Sequence, residues 1–146
     1  MKKLIFIFTL FVLLISCNSE QVKKKPKSTQ IKTENIEKQI NINDYNTPEK
    51  LKKLVASPVE NIWIIDVRTE NEYINGHIPT AKLFPINEIE IRLNELPKDK
   101  YLILYCLSGV RSGMAVDILL ENGYKENKVI NWGRIRNWPY EKVKGK

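Results

Sequence analysis

The pattern of apolar and polar positions divides the chain into four parts. Residues 4–15 form an apolar or hydroxyl-bearing run behind a basic start, and residues 18–41 are rich in lysine, asparagine, glutamine and threonine. Segments with so little apolar surface do not offset the entropy of ordering. From residue 42 onward, short apolar runs alternate with amphipathic segments. The pattern predicts a leader over 1–16, a flexible tether over 17–41, a folded domain over 42–141 and a tail over 142–146.

Two long apolar runs within the predicted domain have the character of buried strands. Residues 62–67 and 101–105 are rich in β-branched or other large apolar side chains and show no strict alternation, which is typical of strands buried on both faces. Shorter runs at 82–86 and 129–130 predict two further strands. Because strands and helices alternate, we predict an α/β fold with a mainly parallel central sheet flanked by helices.

Cap residues and apolar spacing indicate the helices between these strands. Thr47, followed by proline, is typical of a helix start. Thr69 lies three residues before Glu72, which is the spacing of a capping box. Apolar residues at helical spacing over 86–96 predict a further amphipathic helix. Residues 112–121 predict the helix that follows the second long strand.

A thiol follows that second long strand at Cys106, at the start of a short loop that leads directly into a helix. Thiolates are favoured where backbone N–H groups converge and where a helix presents its positive end. Ligands of parallel α/β sheets also sit at the carboxyl ends of strands. We therefore predict an anion cradle with a nucleophile at its base. Its candidate binding residues are Leu107, Ser108, Gly109, Val110, Arg111 and Ser112.

At this loop the chain resembles the rhodanese family, whose active loop reads Cys-x-x-Gly-x-Arg and whose cysteine carries sulfur as a persulfide. Further family signatures occur in the family order at Asp66-Val67-Arg68, Glu72-Tyr73, residues 76–81, Gly123-Tyr124 and residues 133–138. Thr80 and Arg134 depart from the pattern, because the family usually has glycine at both positions. The resemblance implies a rhodanese-like fold and a sulfurtransferase.

The length of the loop favours sulfur transfer over phosphate chemistry. Cys106 to Arg111 spans six residues, whereas cysteine phosphatases use a loop one residue longer. The resemblance therefore implies a Cys106 persulfide that moves sulfane sulfur from a small anionic donor such as thiosulfate to cyanide, a thiol or a protein acceptor. A persulfide carrier without turnover, or a protein-binding rhodanese module, stays open as the alternative. A small phosphatase or arsenate reductase is less favoured.

Several polar residues have a structural interpretation beside a functional one. Arg111 either binds the anionic donor or pins the loop to a carboxylate such as Glu72. The resemblance implies that Asp66 and Arg68 support the loop, with contact to the substrate as the alternative. His77 is the only histidine, and we expect a structural role for it, because a general base must lie within reach of the reacting proton.

Metal, cofactor and nucleic acid are not expected. One histidine and one free cysteine do not furnish a closed tetrahedral metal site, and no cofactor is implied. The net charge is +7, from 24 basic and 17 acidic residues. No basic stripe is interleaved with aromatic residues, however, so nucleic-acid binding is not predicted.

The start of the chain resembles a bacterial lipoprotein leader. Its apolar core has the length of a signal peptide, about 7 to 15 residues, rather than the roughly 20 needed to span a membrane. Leu14-Ile15-Ser16-Cys17 resembles a lipobox, whose cysteine is acylated when the preceding peptide is removed. An ordinary secretory signal or an uncleaved anchor is the alternative. We expect an exported protein that Cys17 anchors to a bacterial membrane, on the periplasmic side or at the cell surface.

Overall fold

A four-stranded parallel sheet organises residues 40–145, the part of the chain that this computed structural model describes. The strands are β1 (Ile62–Asp66), β2 (Lys82–Leu83), β3 (Tyr101–Cys106) and β4 (Val129–Arg134), in the order β2-β1-β3-β4. All three strand pairs are parallel, so the predicted α/β class is confirmed. The leader, Cys17 and nearly all of the predicted tether lie outside the described residues. Within 40–145, no helix has the length and apolar character needed to cross a membrane.

Two helices begin where the sequence places their caps, and the helix predicted over 112–121 begins two residues earlier, at Val110. The α-helices of the described region are α1 (Pro48–Ala56), α2 (Glu70–Ile74) and α3 (Val110–Glu121). The Thr47 hydroxyl accepts a hydrogen bond from the backbone N–H of Lys50 at the start of α1. At the start of α2, Thr69 and Glu72 form the predicted capping box. Single 3-10 turns lie at Ile42–Tyr45, Leu93–Glu95, Glu126–Lys128 and Ile135–Asn137.

Each face of the sheet buries its own apolar cluster. On one face, Ile103 of β3 joins the cluster that includes Leu51 of α1. On the other face, Leu104 and Cys106 join the cluster that includes Leu119 of α3. Successive side chains of a strand point to opposite faces, so burial of both faces explains why the apolar run of β3 does not alternate. Cys106 therefore ends an interior strand, on the face that α3 covers.

The helix predicted over residues 86–96 is wrong. The chain there makes successive turns that end in the 3-10 turn Leu93–Glu95. Ile91 is 81% exposed, so the apolar positions do not share one buried face. Arg92 forms an ion pair with Glu88 across the turns. Isoleucine has only moderate helix propensity, and without a common buried face little favours a regular helix over these turns.

Residues 142–145, which the sequence predicts to be a tail, contact the domain. Val143 and His77 form an antiparallel bridge, with N···O distances of 3.0 and 3.1 Å. The N–H of Gly145 donates to the carbonyl of Ile74 at 3.0 Å. We call residues 142–145 the C-terminal strap, because these hydrogen bonds hold them along residues 74–77.

Thr80 has a left-handed backbone conformation, with φ of +68°. A β-branched residue in this region is strained by about 1–2 kcal/mol, which explains why the family usually has glycine here. We expect Thr80→Gly to raise the free energy of unfolding by about 0.5–1 kcal/mol, since glycine removes the strain but loses more backbone entropy on folding. Urea unfolding measures this change. Thr80→Ala is the matched control, because alanine keeps the Cβ atom, and an equal gain from alanine would contradict the explanation by strain.

Candidate active site

The loop after β3 folds back so that a backbone N–H points at the cysteine sulfur. We call residues 106–111 the cysteine loop. The N–H of Gly109 lies 3.0 Å from Sγ of Cys106. Gly109 has φ of +95°, and a Cβ atom there would lie 3.5 Å from Cα of Gly133 in β4. Glycine therefore permits both the left-handed turn and the close packing of the loop against the neighbouring strand.

Ser112 and Asn131 hold the cysteine loop from the side of α3 and β4. The Asn131 amide donates to the Gly109 carbonyl at 3.1 Å, which leaves its Oδ1 to accept the Ser112 hydroxyl at 2.7 Å. The Ser112 oxygen also lies 3.5 Å from Sγ of Cys106. Since a hydroxyl has one proton, Ser112 donates to the sulfur only by turning away from Asn131. Sequence reasoning missed Asn131, whose only signal was an amide side chain inside a short apolar strand.

The environment of Cys106 favours its thiolate. Burial alone would raise the pKa of the thiol, because charge is disfavoured away from water. The backbone N–H groups of Ser112, Gly109 and Ser108, together with the Ser112 hydroxyl when it turns from Asn131 to the sulfur, outweigh burial, so the pKa of Cys106 lies below its ordinary value. The N-terminal end of α3, which begins at Val110, adds its positive partial charge. Cys106 is the free thiol of the described region, and no part of it is exposed.

Arg111 points to Glu72 and forms a two-pronged ion pair with it. Its Nη1 and Nη2 atoms lie 2.7 and 2.8 Å from the two carboxylate oxygens of Glu72. Glu72 also accepts the N–H of Thr69 in the capping box of α2. Of the two roles that the sequence left open for Arg111, this geometry matches the pin between the cysteine loop and α2. The guanidinium is therefore already compensated by a carboxylate.

Loss of the Glu72 charge is expected to destabilise the domain in a pH-dependent way. The hydrogen bonds from Arg111 lower the pKa of Glu72 from 4.5 to about 2. Because the folded pKa is the lower one, the stabilisation is fully present above about pH 4.5 and is lost as the pH falls towards 2. We expect Glu72→Gln to cost about 1–2 kcal/mol at neutral pH, allowing for solvent screening of a partly exposed pair.

The measurement for Glu72 is urea unfolding of both proteins between pH 7 and pH 3. The difference between wild type and Glu72→Gln should shrink as the pH falls. Glu95→Gln is the matched control, since Glu95 pairs with Arg92 on the open surface. A pH-independent difference for Glu72→Gln would show that the lost carboxylate charge is not the cause.

A buried ion pair lies where β1 ends. Asp66 is fully buried and Arg68 is 5% exposed. The Arg68 guanidinium donates to both Asp66 oxygens, with Nη2 to Oδ2 at 2.6 Å, and Nη2 also donates to the Gly76 carbonyl at 2.9 Å. Burial would lower the pKa of Arg68, but the hydrogen bonds and charge of Asp66 raise it. The pair thus fixes the segment at Gly76, close to the bridge between His77 and the C-terminal strap.

Tyr105 and His77 are engaged in structural contacts. The Tyr105 hydroxyl accepts the backbone N–H of Ile78 at 3.1 Å, and burial raises the pKa of this phenol. His77 stacks on the Tyr73 ring at 3.5 Å, and its Nδ1 lies 2.9 Å from the Tyr73 carbonyl. Within 40–145, no group of three or more His, Cys, Asp and Glu residues is placed to hold a metal ion.

The rim of the cysteine loop is exposed and largely apolar. Leu107 is 47% exposed, Val110 is 66% exposed, and Met114 on the next turn of α3 is 53% exposed. Ser108 is exposed as well. Four of the six predicted cradle residues therefore divide into two groups. The backbone of Gly109 and the side chain of Ser112 face the sulfur, whereas the side chains of Leu107 and Val110 reach solvent.

An open groove of about 430 Å³ lies beside the loop. It is lined by Arg68, Glu72, Asn75, Gly76, Leu107, Ile135 and Lys142. Leu107 directly follows Cys106 in the chain, so the groove borders the cysteine loop. Sequence reasoning did not find Lys142, because it reaches the groove only through the strap hydrogen bonds.

Comparison with known proteins assigns the family. A model of the rhodanese-like domain matches residues 47–138. A sulfurtransferase of Allochromatium vinosum is 39% identical over 91 residues, covering 62% of this chain and 82% of that protein. Thiosulfate sulfurtransferase PspE of Escherichia coli is 36% identical over 85 residues, covering 57% and 79%. The crystal structure of a rhodanese-like domain protein from Staphylococcus aureus aligns with a TM-score of 0.59 and 32% identity, covering 68% and 96%. These relatives support sulfurtransferase activity in general, and the chain belongs to the rhodanese-like domain family.

Proposed function

We propose that the protein is a sulfurtransferase that carries sulfane sulfur on Cys106. The Cys106 thiolate attacks the outer sulfur of a donor such as thiosulfate. The new Sγ–S bond forms as the S–S bond of the donor breaks, and sulfite leaves with the bonding electron pair. An acceptor such as cyanide or a thiol then takes the outer sulfur and returns Cys106 to the thiolate. No external oxidant or reductant is consumed in either step.

The hydrogen bonding at Sγ is the observation that carries this proposal. The Gly109 N–H lies 3.0 Å from the sulfur, and further donors lower the pKa of the thiol. Such fixed donors stabilise the negative charge on sulfur both before attack and when Cys106 leaves the persulfide. The short loop, which the resemblance to the rhodanese family associates with sulfur transfer, supports sulfur as the transferred group.

In this proposal Arg111 and the buried pair of Asp66 and Arg68 are positioning residues. Arg111 holds the cysteine loop to α2 through Glu72. Arg68 holds the segment at Gly76, which forms one wall of the groove. Arg111 thereby keeps the backbone donors of the loop aimed at the sulfur, and Arg68 keeps the wall of the groove in place, since a preformed site needs no rearrangement when charge develops.

The test combines a mass measurement with a turnover assay. Thiosulfate alone should increase the mass of the protein by one sulfur atom on the peptide that contains Cys106. Thiosulfate with cyanide should then give catalytic thiocyanate formation. Absence of both the adduct and turnover with several sulfane sulfur donors would rule out the proposal.

The exposed rim supports one second candidate, a persulfide carrier for a protein acceptor. Leu107, Val110 and Met114 place apolar surface around the cysteine loop, and exposed apolar patches are typical of protein-binding sites. The same experiment separates the two functions. A stable adduct without turnover on small acceptors would favour the carrier, whereas rapid thiocyanate formation favours the enzyme.

A further inference from the structure

We propose that Lys142 on the C-terminal strap recognises the carboxylate of a small organic thiol, which is the sulfur acceptor. This inference rests on the proposed function, because it assigns the acceptor of the Cys106 persulfide. Its site is the groove beside the cysteine loop, and its ligand class is a low-molecular-weight thiol that carries a negative charge.

The charges that line the groove leave Lys142 uncompensated. Arg68 is neutralised by Asp66 at 2.6 Å, and Glu72 is neutralised by Arg111 at 2.7 Å. Within residues 40–145, Lys142 forms no ion pair with a carboxylate. Lys142 therefore gives the groove one positive charge that is not neutralised, next to two ion pairs that are. Such a groove favours an anion over a neutral or cationic ligand.

The size and walls of the groove fit an organic molecule better than an inorganic oxyanion. Its volume of about 430 Å³ lies within the range of about 300–1,000 Å³ that is usual for small-molecule sites. Leu107 and Ile135 form apolar parts of its wall. Such side chains do not stabilise a compact anion like thiosulfate, but they pack favourably against the carbon atoms of a thiol.

The backbone hydrogen bonds of the C-terminal strap restrict the position of Lys142. Both the N–H and the carbonyl group of Val143 form hydrogen bonds with the backbone of His77. The Lys142 side chain crosses Gly76, because its Cβ and Cδ atoms lie 3.6 Å from the position that a Cβ atom at Gly76 would occupy. Gly76 thus leaves room for the lysine stem, and the exposed Lys142 side chain lines the groove that Leu107 borders.

The chemistry of the acceptor step balances without another reactant. The acceptor enters as a thiolate, and its sulfur bonds to the outer sulfur of the Cys106 persulfide. The Sγ–S bond breaks, and its electron pair stays on Sγ, where the loop N–H groups stabilise the thiolate. The product is the persulfide of the acceptor. Lys142 touches only the carboxylate, so it affects the capture of the acceptor and not the bond exchange.

The test compares two thiols of similar size, mercaptopropionate and mercaptoethanol, of which only the first carries a carboxylate. The full-length chain is loaded with thiosulfate, and kcat/KM is measured for transfer to each thiol. In Lys142→Gln, the preference for mercaptopropionate over mercaptoethanol should fall by about two- to fivefold, which is the effect expected for one exposed charge pair. Lys142→Glu should reduce it further. Lys144→Gln, on the same strap, is the matched control and should keep the wild-type preference.

The outcomes separate this inference from the proposed function. Equal effects of Lys142→Gln on both thiols, or no effect on either, would overturn the role of Lys142 while sulfur transfer stands. Slower loading by thiosulfate, with an unchanged thiol preference, would assign the cation to the donor and overturn the acceptor site. Failure of the wild-type protein to form a persulfide would overturn both proposals. A lower preference of Lys142→Gln for mercaptopropionate, together with normal loading by thiosulfate, supports the acceptor site.

Discussion

Replacing Cys106 by serine is expected to abolish persulfide formation and to lower thiocyanate formation by a factor of at least about 10³. Serine keeps the size and most of the hydrogen bonding of the buried side chain, so the fold should persist. Its hydroxyl, however, is not ionised by the donors that stabilise a thiolate, and its oxygen forms no persulfide. The measurements are the mass after incubation with thiosulfate, the rate with cyanide, and circular dichroism as a check on folding.

Cys17→Ser is the matched control for this substitution, because Cys17 is the other cysteine of the chain. We expect Cys17→Ser to retain sulfur loading and turnover in detergent solution. Retained sulfur loading in Cys106→Ser, or loss of loading in Cys17→Ser, would indicate that Cys17 carries the sulfur and would contradict the proposed mechanism.

Asp66→Asn should give the largest loss of stability, about 3–5 kcal/mol, because it leaves the Arg68 cation buried without a counter-charge. Arg68 is 5% exposed and Asp66 is fully buried, so water does not replace the lost carboxylate. Globular domains have only about 5–15 kcal/mol of stability in total. Urea unfolding measures the loss, and poor folding at 37 °C would agree with it.

A double variant separates the effect of the unpaired Arg68 charge on stability from the effect of losing the side chains themselves. Asp66→Leu with Arg68→Met removes both charges and should be clearly more stable than Asp66→Asn, because apolar replacements of buried pairs are often tolerated. Recovery should be partial, since the Gly76 carbonyl loses its hydrogen bond from Arg68. A double variant as unstable as Asp66→Asn would show that the uncompensated charge is not the cause.

The parts of the fold that depend on local chemistry were predictable from the sequence. Thr47 and Thr69 mark helix starts because their hydroxyls bond to nearby backbone N–H groups. The long strands were recognisable because both of their faces are buried. The helix predicted over 86–96 is wrong, because spacing alone does not show that Ile91 faces solvent.

The site was predictable only in part, because its partners come from distant segments. Cys106 and its loop follow one strand and are visible as a motif. The pairing of Arg111 with Glu72 joins residues far apart in the chain, so the sequence left its role open. Asn131 and Lys142 reach the loop and groove through β4 and the strap; Asn131 is marked only as an amide inside a short apolar strand, and Lys142 carries no local signal.

The same long-range assembly has a consequence for the reactivity of the thiol during folding. The groups around Cys106 come from β4, α3 and the loop itself, and they meet only when the sheet has formed. Before that point the cysteine is an ordinary thiol with a pKa near 8.5 and is mostly protonated at neutral pH. Because thiolates react with oxidants and disulfides far faster than thiols do, the newly made chain is comparatively inert. Cys106 gains its thiolate character only together with the fold that encloses it.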